Sequence, residues 1–224
     1  MTIILLYEYN NYYINLHLLI YCQKVFETKW LDTATVMMAG QGEIFYSEEY
    51  LRLLGMIKHG RKLDILSNGN LFDESKWKLV TGKFDEITVS ISIDAATKET
   101  YTEIRHGNYD KLVKNINMLG KYRKEGKFNY FKMNFVVQKR NMNEMIDFVK
   151  FAMKNNADVI HFMKMNYWGS MPYKQFEEEC LIIDYKYLAY DLYKIFQDPI
   201  FKDKRVDISE FNCFIEESKK IYEE

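Results

Sequence analysis

Proline, glycine and cysteine are all scarce in this sequence of 224 residues. It has 2 prolines and 10 glycines, where average usage would give about 11 and 16. An all-β sandwich needs many tight turns, so this shortage disfavours that class and favours long regular elements. The 3 cysteines, Cys22, Cys180 and Cys213, are far apart and odd in number. Their spacing excludes a disulfide framework and every short CxxC-type metal motif.

An excess of charge of either sign is also missing. The 31 Lys and Arg residues oppose 32 Asp and Glu residues, which gives a net charge of −1. This balance disfavours a nucleic-acid-binding protein, which usually carries a strongly basic surface. Apolar residues make up 48% of the chain, so a disordered chain is excluded, and the length predicts one domain or little more.

Long apolar runs are absent even from the first thirty residues, which are rich in Ile, Leu, Tyr and Asn. A spanning helix needs about 20 apolar residues, and no basic segment or small-residue cleavage site is visible. Polar residues interrupt every run: Glu8, Asn10, Asn11, Asn15 and His17. The sequence therefore predicts a cytoplasmic protein without membrane contact.

From Val36 onward, short apolar runs alternate with longer amphipathic segments. Five runs predict strands: Val36–Ala39, Leu63–Ser67, Ile87–Ile93, Phe131–Val137 and Val159–Met165. Two further elements are predicted in the irregular segment 1–34, a strand at Ile3–Tyr7 and a helix near Ile14–Glu27.

Typical helix-capping residues lie between these strands. The residues that predict helix starts are Ser47, Asp73, Thr97, Asn108 and Asn141. Gly60 is expected to close the first of these helices. An aromatic-rich helix is predicted to end at Pro199, and a charged helix at the carboxyl end.

Strands that alternate with helices pair in parallel through right-handed crossovers, which predicts an α/β fold. Eight strand-helix units need about 250 residues. Five or six strands are therefore expected, in an incomplete (β/α) TIM-like barrel or an open doubly wound sheet.

Polar residues stand where the predicted strands end, which is where ligands bind in parallel α/β folds. The first strand runs into Gly40-Gln41-Gly42-Glu43, and its two glycines leave backbone groups free to approach a ligand. Ser92 and Asn134 lie inside apolar strands, so they need partners in the protein or in a ligand. The alternative for each terminal residue is an ordinary turn or helix cap.

Four segments resemble the radical S-adenosylmethionine superfamily, in particular members whose partial barrel precedes a SPASM-type extension. They are MMAGQGEIFYSEEY, LDILSNGNLFDE, ITVSISIDAATKETYTEIRHGNYDKLVKNINML and MNFVVQKRNMNEMIDFVKFA. They follow the family's order and spacing. The resemblance implies a partial-barrel core over residues 35–168, preceded by the irregular segment 1–34 and followed by a helical extension over residues 169–224.

The resemblance also implies a binding site for S-adenosylmethionine. Gly40, Gln41, Gly42 and Glu43 match the motif whose backbone receives the cofactor's ammonium group. Ser67 and Asn68 match a polar strand end that faces the cofactor, and Ser92 and Asp94 match a polar pair near its ribose and carboxylate. Arg105 matches the arginine that pairs with the carboxylate, for which a planar bidentate donor is suited. Asn134 and Val136 match the strand beside ribose and adenine, with Met163 or Met165 as weaker candidates.

Two of these residues also have ordinary structural interpretations. Arg105 could form a surface salt bridge with Glu103 or Asp110. Glu43 could be a charge in the first turn of a helix.

The family's cluster loop is missing from the sequence. In the family, a CxxxCxxC loop after the first strand holds a 4Fe–4S cluster, at which S-adenosylmethionine is reductively cleaved to a 5′-deoxyadenosyl radical that abstracts hydrogen from substrate. Only Cys22 lies in the corresponding region, so no metal ligands are predicted. Three explanations stay open: a truncated or frame-disrupted product, a cluster-less module that binds S-adenosylmethionine, a nucleoside or a peptide, or a cluster completed by another chain.

A different enzyme class is also compatible with the residues. Lys164 lies inside a predicted strand, and a desolvated lysine there could form a Schiff base in a barrel lyase. No acid/base partner is evident for it. For the family interpretation, relatives with the extension imply peptide modification, so a peptide is a candidate partner.

Overall fold

The computed structural model describes residues 2–7, 24, 29–40, 42–169, 171–180 and 185–223. The chain forms two compact units. Unit 1 comprises Met1–Ser92 and Asp110–Lys132, and unit 2 comprises Ile93–Tyr109 and Met133–Glu224. The division predicted from the resemblance, at residues 34 and 168, stays a prediction.

Among the described residues, six strands have six to nine residues and a seventh has two. In chain order they are β1 (Thr2–Tyr7), β2 (Thr35–Gly40), β3 (Gly60–Ser67), β4 (Phe84–Ser92), β5 (Tyr130–Val137), β6 (Val159–Lys164) and β7 (Val206–Asp207).

The α-helices of the described residues lie between and after the strands. They are α1 (Glu48–Met56), α2 (Glu74–Trp77), α3 (Lys98–Arg105), α4 (Tyr109–Lys124), α5 (Met145–Lys154), α6 (Tyr173–Glu179), α7 (Tyr185–Phe196) and α8 (Asn212–Glu223). Short 3-10 turns occur at Lys29–Asp32, Ile44–Tyr46, Met142–Glu144, Pro199–Lys202 and Ser209–Phe211.

In unit 1 the strands pair in parallel in chain order. Val36 of β2 lies opposite Ile3 of β1 and Leu63 of β3, and Leu63 lies opposite Ile87 of β4. Parallel neighbours require a crossover between them, and α1 and α2 lie in two of these connections. The carboxyl ends of β2 and β3 therefore lie at the same edge of this sheet.

Aromatic rings form much of the core of unit 1. Phe45 stacks on Phe72 with ring centroids 4.4 Å apart. Trp77 contacts Tyr122 at 5.3 Å and Phe128 at 5.6 Å. Such pairs contribute about 0.5–1.5 kcal/mol each beyond their buried area, so they fix α2 and α4 in this unit.

In unit 2, β5, β6 and β7 are neighbours in that order. A second aromatic core fills this unit, where Phe135 of β5 contacts Phe148 of α5 at 4.8 Å and Phe162 of β6 at 5.4 Å. Phe162 also contacts Phe201 at 5.8 Å. The core ties β5 and β6 to the helices that follow them.

The predicted α/β class with five or six parallel strands is confirmed, and so is the amino-terminal strand, which the structure extends to Thr2. The predicted helix near Ile14–Glu27 lies outside the described residues except for Lys24. Three strand ends differ from the predicted bounds. Strand β2 ends at Gly40, one residue later than predicted, while β4 ends at Ser92 and β6 at Lys164, each one residue earlier.

The predicted closure of the first helix by Gly60 is wrong. The helix ends at Met56, and Gly60 is the first residue of β3. A Cβ atom on Gly60 would lie 2.7 Å from the Phe84 ring. The glycine is therefore required by the approach of a neighbouring strand and not by a helix terminus.

The predicted caps differ in their outcome. The side chains of Ser47, Asp73 and Thr97 each accept a hydrogen bond from a backbone N–H of the helix that follows. Helix α4 begins directly after Asn108. Asn141 precedes a 3-10 turn, but its side chain makes no capping bond, because its amide is used elsewhere in unit 2.

No helix within the described ranges is both long and apolar enough to span a membrane. The cytoplasmic location stays a prediction.

Glu144 stabilises the start of α3 through hydrogen bonds. Its carboxylate accepts hydrogen bonds from the N–H groups of Ala96 and Thr97 at 2.6 and 3.1 Å, and from the hydroxyls of Thr97 and Thr100. Burial raises the pKa of Glu144, but these four bonds to the ionised form outweigh it, so the net pKa lies below the ordinary value.

We expect Glu144→Gln to lower the free energy of unfolding by about 1–2 kcal/mol at pH 7. Because the folded-state pKa is lowered, this stabilisation is complete above the ordinary glutamate pKa of about 4.3 and is lost as the pH falls through the folded value. Urea unfolding of both proteins between pH 7 and pH 3 should show the difference shrinking below pH 4.3. The control is Glu178→Gln, which alters a glutamate that is 65% exposed. A difference that persists at pH 3 would contradict this role for Glu144.

Candidate functional site

Glu43 joins the ends of two strands in unit 1. Its carboxylate accepts a hydrogen bond from the Ser67 hydroxyl at 2.8 Å and from the Asn68 N–H at 2.7 Å. It also accepts from the N–H of Phe45 at 3.2 Å, as the cap of the short turn that follows. Three of the predicted site residues are thus brought together, and the glutamate accepts three hydrogen bonds from protein donors.

The glycine-rich loop before Glu43 leaves the sheet at the end of β2. Gly40 is the last residue of that strand, Gly42 is partly exposed, and Gln41 lies outside the described residues. Because the Glu43 carboxylate is bound to β3, the backbone of this loop is anchored from one side.

The turn after β3 has its own support. Gly69 has a φ of +78°, and a Cβ atom there would lie 2.7 Å from Leu112. The Asn115 side chain of α4 donates to the carbonyls of Gly69 and Asn70 at 2.8 and 3.1 Å. This support was not evident from the sequence, because Asn115 lies far from the turn along the chain.

Ser92 is the last residue of β4 and is partly exposed. Asn134, by contrast, is 4% exposed, and its backbone carbonyl accepts a hydrogen bond from the N–H of Ile93 at 3.0 Å.

In unit 2 the predicted residues Asp94 and Arg105 form an ion pair. Asp94 has a φ of +63°, in the left-handed region that Asp tolerates better than most residues. Its carboxylate also accepts a hydrogen bond from the Val136 N–H at 2.7 Å. Burial raises the pKa of Asp94, while the Arg105 guanidinium and the Val136 N–H act in the opposite direction. Arg105 therefore pairs with another predicted site residue.

Asn141 determines the geometry around this ion pair. It is fully buried, and its side-chain amide donates to the carbonyls of Asp94 and Val136, each at 2.9 Å. Its side-chain oxygen accepts from the Gln138 N–H at 2.7 Å. One side chain thus holds the loop before α3 and the end of β5, a role that its predicted assignment as a helix cap missed.

A cavity of about 470 Å³ lies beside these residues, within unit 2. Its size is typical of small-molecule sites. Five residues that were predicted for the cofactor site line it: Asp94, Arg105, Val136, Met163 and Met165. Asn134 does not line it. The other lining residues are Ile104, Gln138, Lys164, Asn166, Trp168, Met171 and Glu210.

Two buried polar atoms of the lining residues have no hydrogen-bond partner among the residues described. They are Nε of Arg105 and the side-chain oxygen of Gln138. A buried polar atom without a partner costs about 1–3 kcal/mol, so both atoms are suited to a ligand that offers an acceptor to the arginine and a donor to the glutamine. The donor set of the cavity therefore fits a small molecule that carries a carboxylate.

Lys164 and Glu210 contribute opposite charges to the cavity wall. The Lys164 N–H donates to the Glu210 carboxylate at 2.9 Å. The Lys164 ammonium lies 5.6 Å from the centre of the Phe214 ring. The predicted candidate amine is thus at the cavity, with a carboxylate close to its backbone.

The cysteines do not fit a 4Fe–4S cluster. In the described residues Cys180 is buried, Cys213 is exposed and both are free thiols. Across the described ranges no three His, Cys, Asp or Glu side chains are grouped as metal ligands, and Cys22 lies outside those ranges. The whole sequence has 3 cysteines and no CxxxCxxC motif.

No family model and no curated protein matches the sequence. Solved structures of similar fold include anSMEcpe, SuiB and TYW1. The structure of anSMEcpe with bound AdoMet and the Cp18Cys peptide is 17% identical with a TM-score of 0.54, and the match covers 86% of this chain and 54% of that chain. SuiB of Streptococcus suis is 15% identical with a TM-score of 0.51, over 80% of this chain and 41% of that chain. TYW1 with a lysine-pyruvate adduct bound is 16% identical with a TM-score of 0.50, over 75% and 50%.

This chain spans about half the length of the structures that it matches. At these identities the likeness concerns the fold. The predicted resemblance is confirmed at that level: over most of its length, and at low sequence identity, the chain is structurally similar to radical S-adenosylmethionine enzymes.

Proposed function

We propose that this chain binds S-adenosylmethionine in a pocket of the radical S-adenosylmethionine type. The observation that carries the proposal is Arg105, whose buried Nε has no partner in the described part of the chain and which lines the cavity of unit 2. Guanidinium groups bind carboxylates through two parallel hydrogen bonds. The methionyl carboxylate of the cofactor is an acceptor of this kind.

Asp94 would act on Arg105 as a positioning residue. Its carboxylate pairs with one end of the guanidinium and is held by the Val136 N–H. The arginine is therefore oriented before a ligand arrives, which reduces the entropy that binding costs. Nε, which has no partner among the described residues, is one of the donors available to the ligand.

In unit 1, taken by itself, the loop before Glu43 is suited to an ammonium group. The Glu43 carboxylate already accepts from Ser67 and Asn68, so the backbone carbonyls of the described part of the loop, including Gly42, would be the acceptors. Solved structures of similar fold carry AdoMet, which supports the same ligand class here.

We propose that the chain binds the cofactor, and we propose no reaction. In the family, a cluster held by three cysteine thiolates supplies the electron that cleaves S-adenosylmethionine. These 224 residues do not provide a CxxxCxxC motif, so we assign no cleavage step to them. A peptide is the candidate second ligand, since anSMEcpe is known with a bound peptide.

Titration calorimetry with S-adenosylmethionine tests the proposal, with Arg105→Lys as the variant. Lysine keeps a positive charge opposite Asp94, so the fold should persist, but it cannot donate two parallel bonds. We expect the Kd to rise by about tenfold or more. The matched control is Arg140→Lys, because Arg140 is as exposed as Arg105, at 28% against 29%, and does not line the cavity. Absence of binding by the unaltered chain would refute the proposal.

A second candidate function uses Lys164 as a Schiff-base amine. Two observations favour it: Lys164 is a lining residue of the cavity, and TYW1, of similar fold, is known with a lysine-pyruvate adduct. The amine would attack the carbonyl carbon of a small oxo acid and release water on forming the imine.

Borohydride reduction in the presence of pyruvate tests this candidate. The expected result is a stable mass increase on the peptide that contains Lys164, absent from Lys164→Arg. The matched control is Lys154→Arg, at the end of α5 and away from the cavity wall. Equal labelling of Lys164 and of surface lysines would exclude a Schiff-base function.

A further inference from the structure

Gln138 follows the last residue of β5, and its backbone is fully fixed. Its N–H donates to the Asn141 side chain at 2.7 Å. Its carbonyl accepts from the N–H groups of Asn141 and Met142 at 3.2 and 3.1 Å. These backbone hydrogen bonds therefore fix the position of the Gln138 Cα atom and the direction of its Cα–Cβ bond.

Gln138 lines the cavity of unit 2, and its side-chain oxygen has no protein partner within the ranges that the structure describes. The residue is only 6% exposed. A glutamine held in this way loses water contacts on folding and gains no hydrogen bond at that oxygen, which is unfavourable for stability. Natural proteins rarely leave such an acceptor unpaired unless it has another use.

We propose that Gln138 is a ligand-binding residue that accepts a hydrogen bond from an O–H or N–H group of the molecule in this cavity. This inference rests on the proposed function in that S-adenosylmethionine is the first ligand to test. That cofactor has two sources of such a donor, the ribose hydroxyls and the methionyl ammonium. Gln138 and Arg105 would then recognise a donor and an acceptor on the same ligand.

The test compares Gln138→Met with the unaltered chain. Methionine matches glutamine closely in length and volume but has no comparable acceptor. We expect binding of S-adenosylmethionine to weaken by about tenfold, because the ligand donor is left unpaired. Gln138→Glu, which keeps an acceptor oxygen, should bind at least as well as the unaltered chain if the donor is the ammonium. The control is Gln175→Met on α6, whose side chain bonds Glu179 away from the cavity.

Ligand-free stability separates this role from a structural one. If the Gln138 oxygen has no protein partner, Gln138→Met should leave the Tm unchanged or raise it, while the ligand-induced rise in Tm becomes smaller. A lower Tm without ligand would show a structural partner and overturn the inference. Unchanged affinity in Gln138→Met would overturn it too, and would leave the proposed function intact.

Binding of two fragments of the cofactor identifies which of its groups donates a hydrogen bond to Gln138. Weaker binding of 5′-methylthioadenosine by Gln138→Met points to the ribose, and weaker binding of L-methionine points to the ammonium. If the unaltered chain binds one of these probes but not S-adenosylmethionine, the proposed function is refuted. The role of Gln138 is then tested by comparing the affinities of Gln138→Met and of the unaltered chain for that probe. If it binds none of the three, both proposals are refuted.

Discussion

The candidate site in unit 2 depends on the buried amide of Asn141. One side chain bonds the carbonyl of Asp94, the carbonyl of Val136 and the N–H of Gln138. These three backbone positions belong to the loop before α3 and to the end of β5. All three residues line the cavity. Since Asn141 is fully buried, no water competes for these bonds, and replacing it would leave three backbone groups unpaired at once.

The same short segment holds the loop a second time. Three residues after Asn141, Glu144 binds the N–H groups of Ala96 and Thr97. The two residues act on opposite chemical groups, since Asn141 donates to the Asp94 carbonyl and Glu144 accepts from the N–H groups that follow. A loop fixed in both ways can keep Asp94 at a positive φ. The hydrogen bonds of Asn141 and Glu144 therefore offset the strain of this backbone conformation, which positions Asp94 for its ion pair with Arg105.

The sequence predicted the strands and most helix starts because both depend on local patterns. Alternation of apolar runs with capped helices is visible in any window of ten or fifteen residues. Gly60 was misjudged because its reason is a neighbouring strand, through the ring of Phe84. Asn141 was misjudged because capping and tertiary bonding use the same amide, and only the fold decides between them. The resemblance supplied Asp94 and Arg105 as site residues, but not that they pair with each other.

Two unpaired atoms of the lining residues lower stability and are suited to hydrogen bonds with a ligand. Arg105 Nε and the Gln138 oxygen are buried without partners among the described residues. By contrast, Asn141 and Glu144 form hydrogen bonds with several backbone groups nearby. A chain selected for stability alone would replace such a glutamine with an apolar residue, which removes the desolvation cost. These two atoms, one a donor and the other an acceptor, belong to residues that line the same cavity. That distribution is expected of a site prepared for a ligand, because the ligand recovers both hydrogen bonds when it displaces water from the cavity.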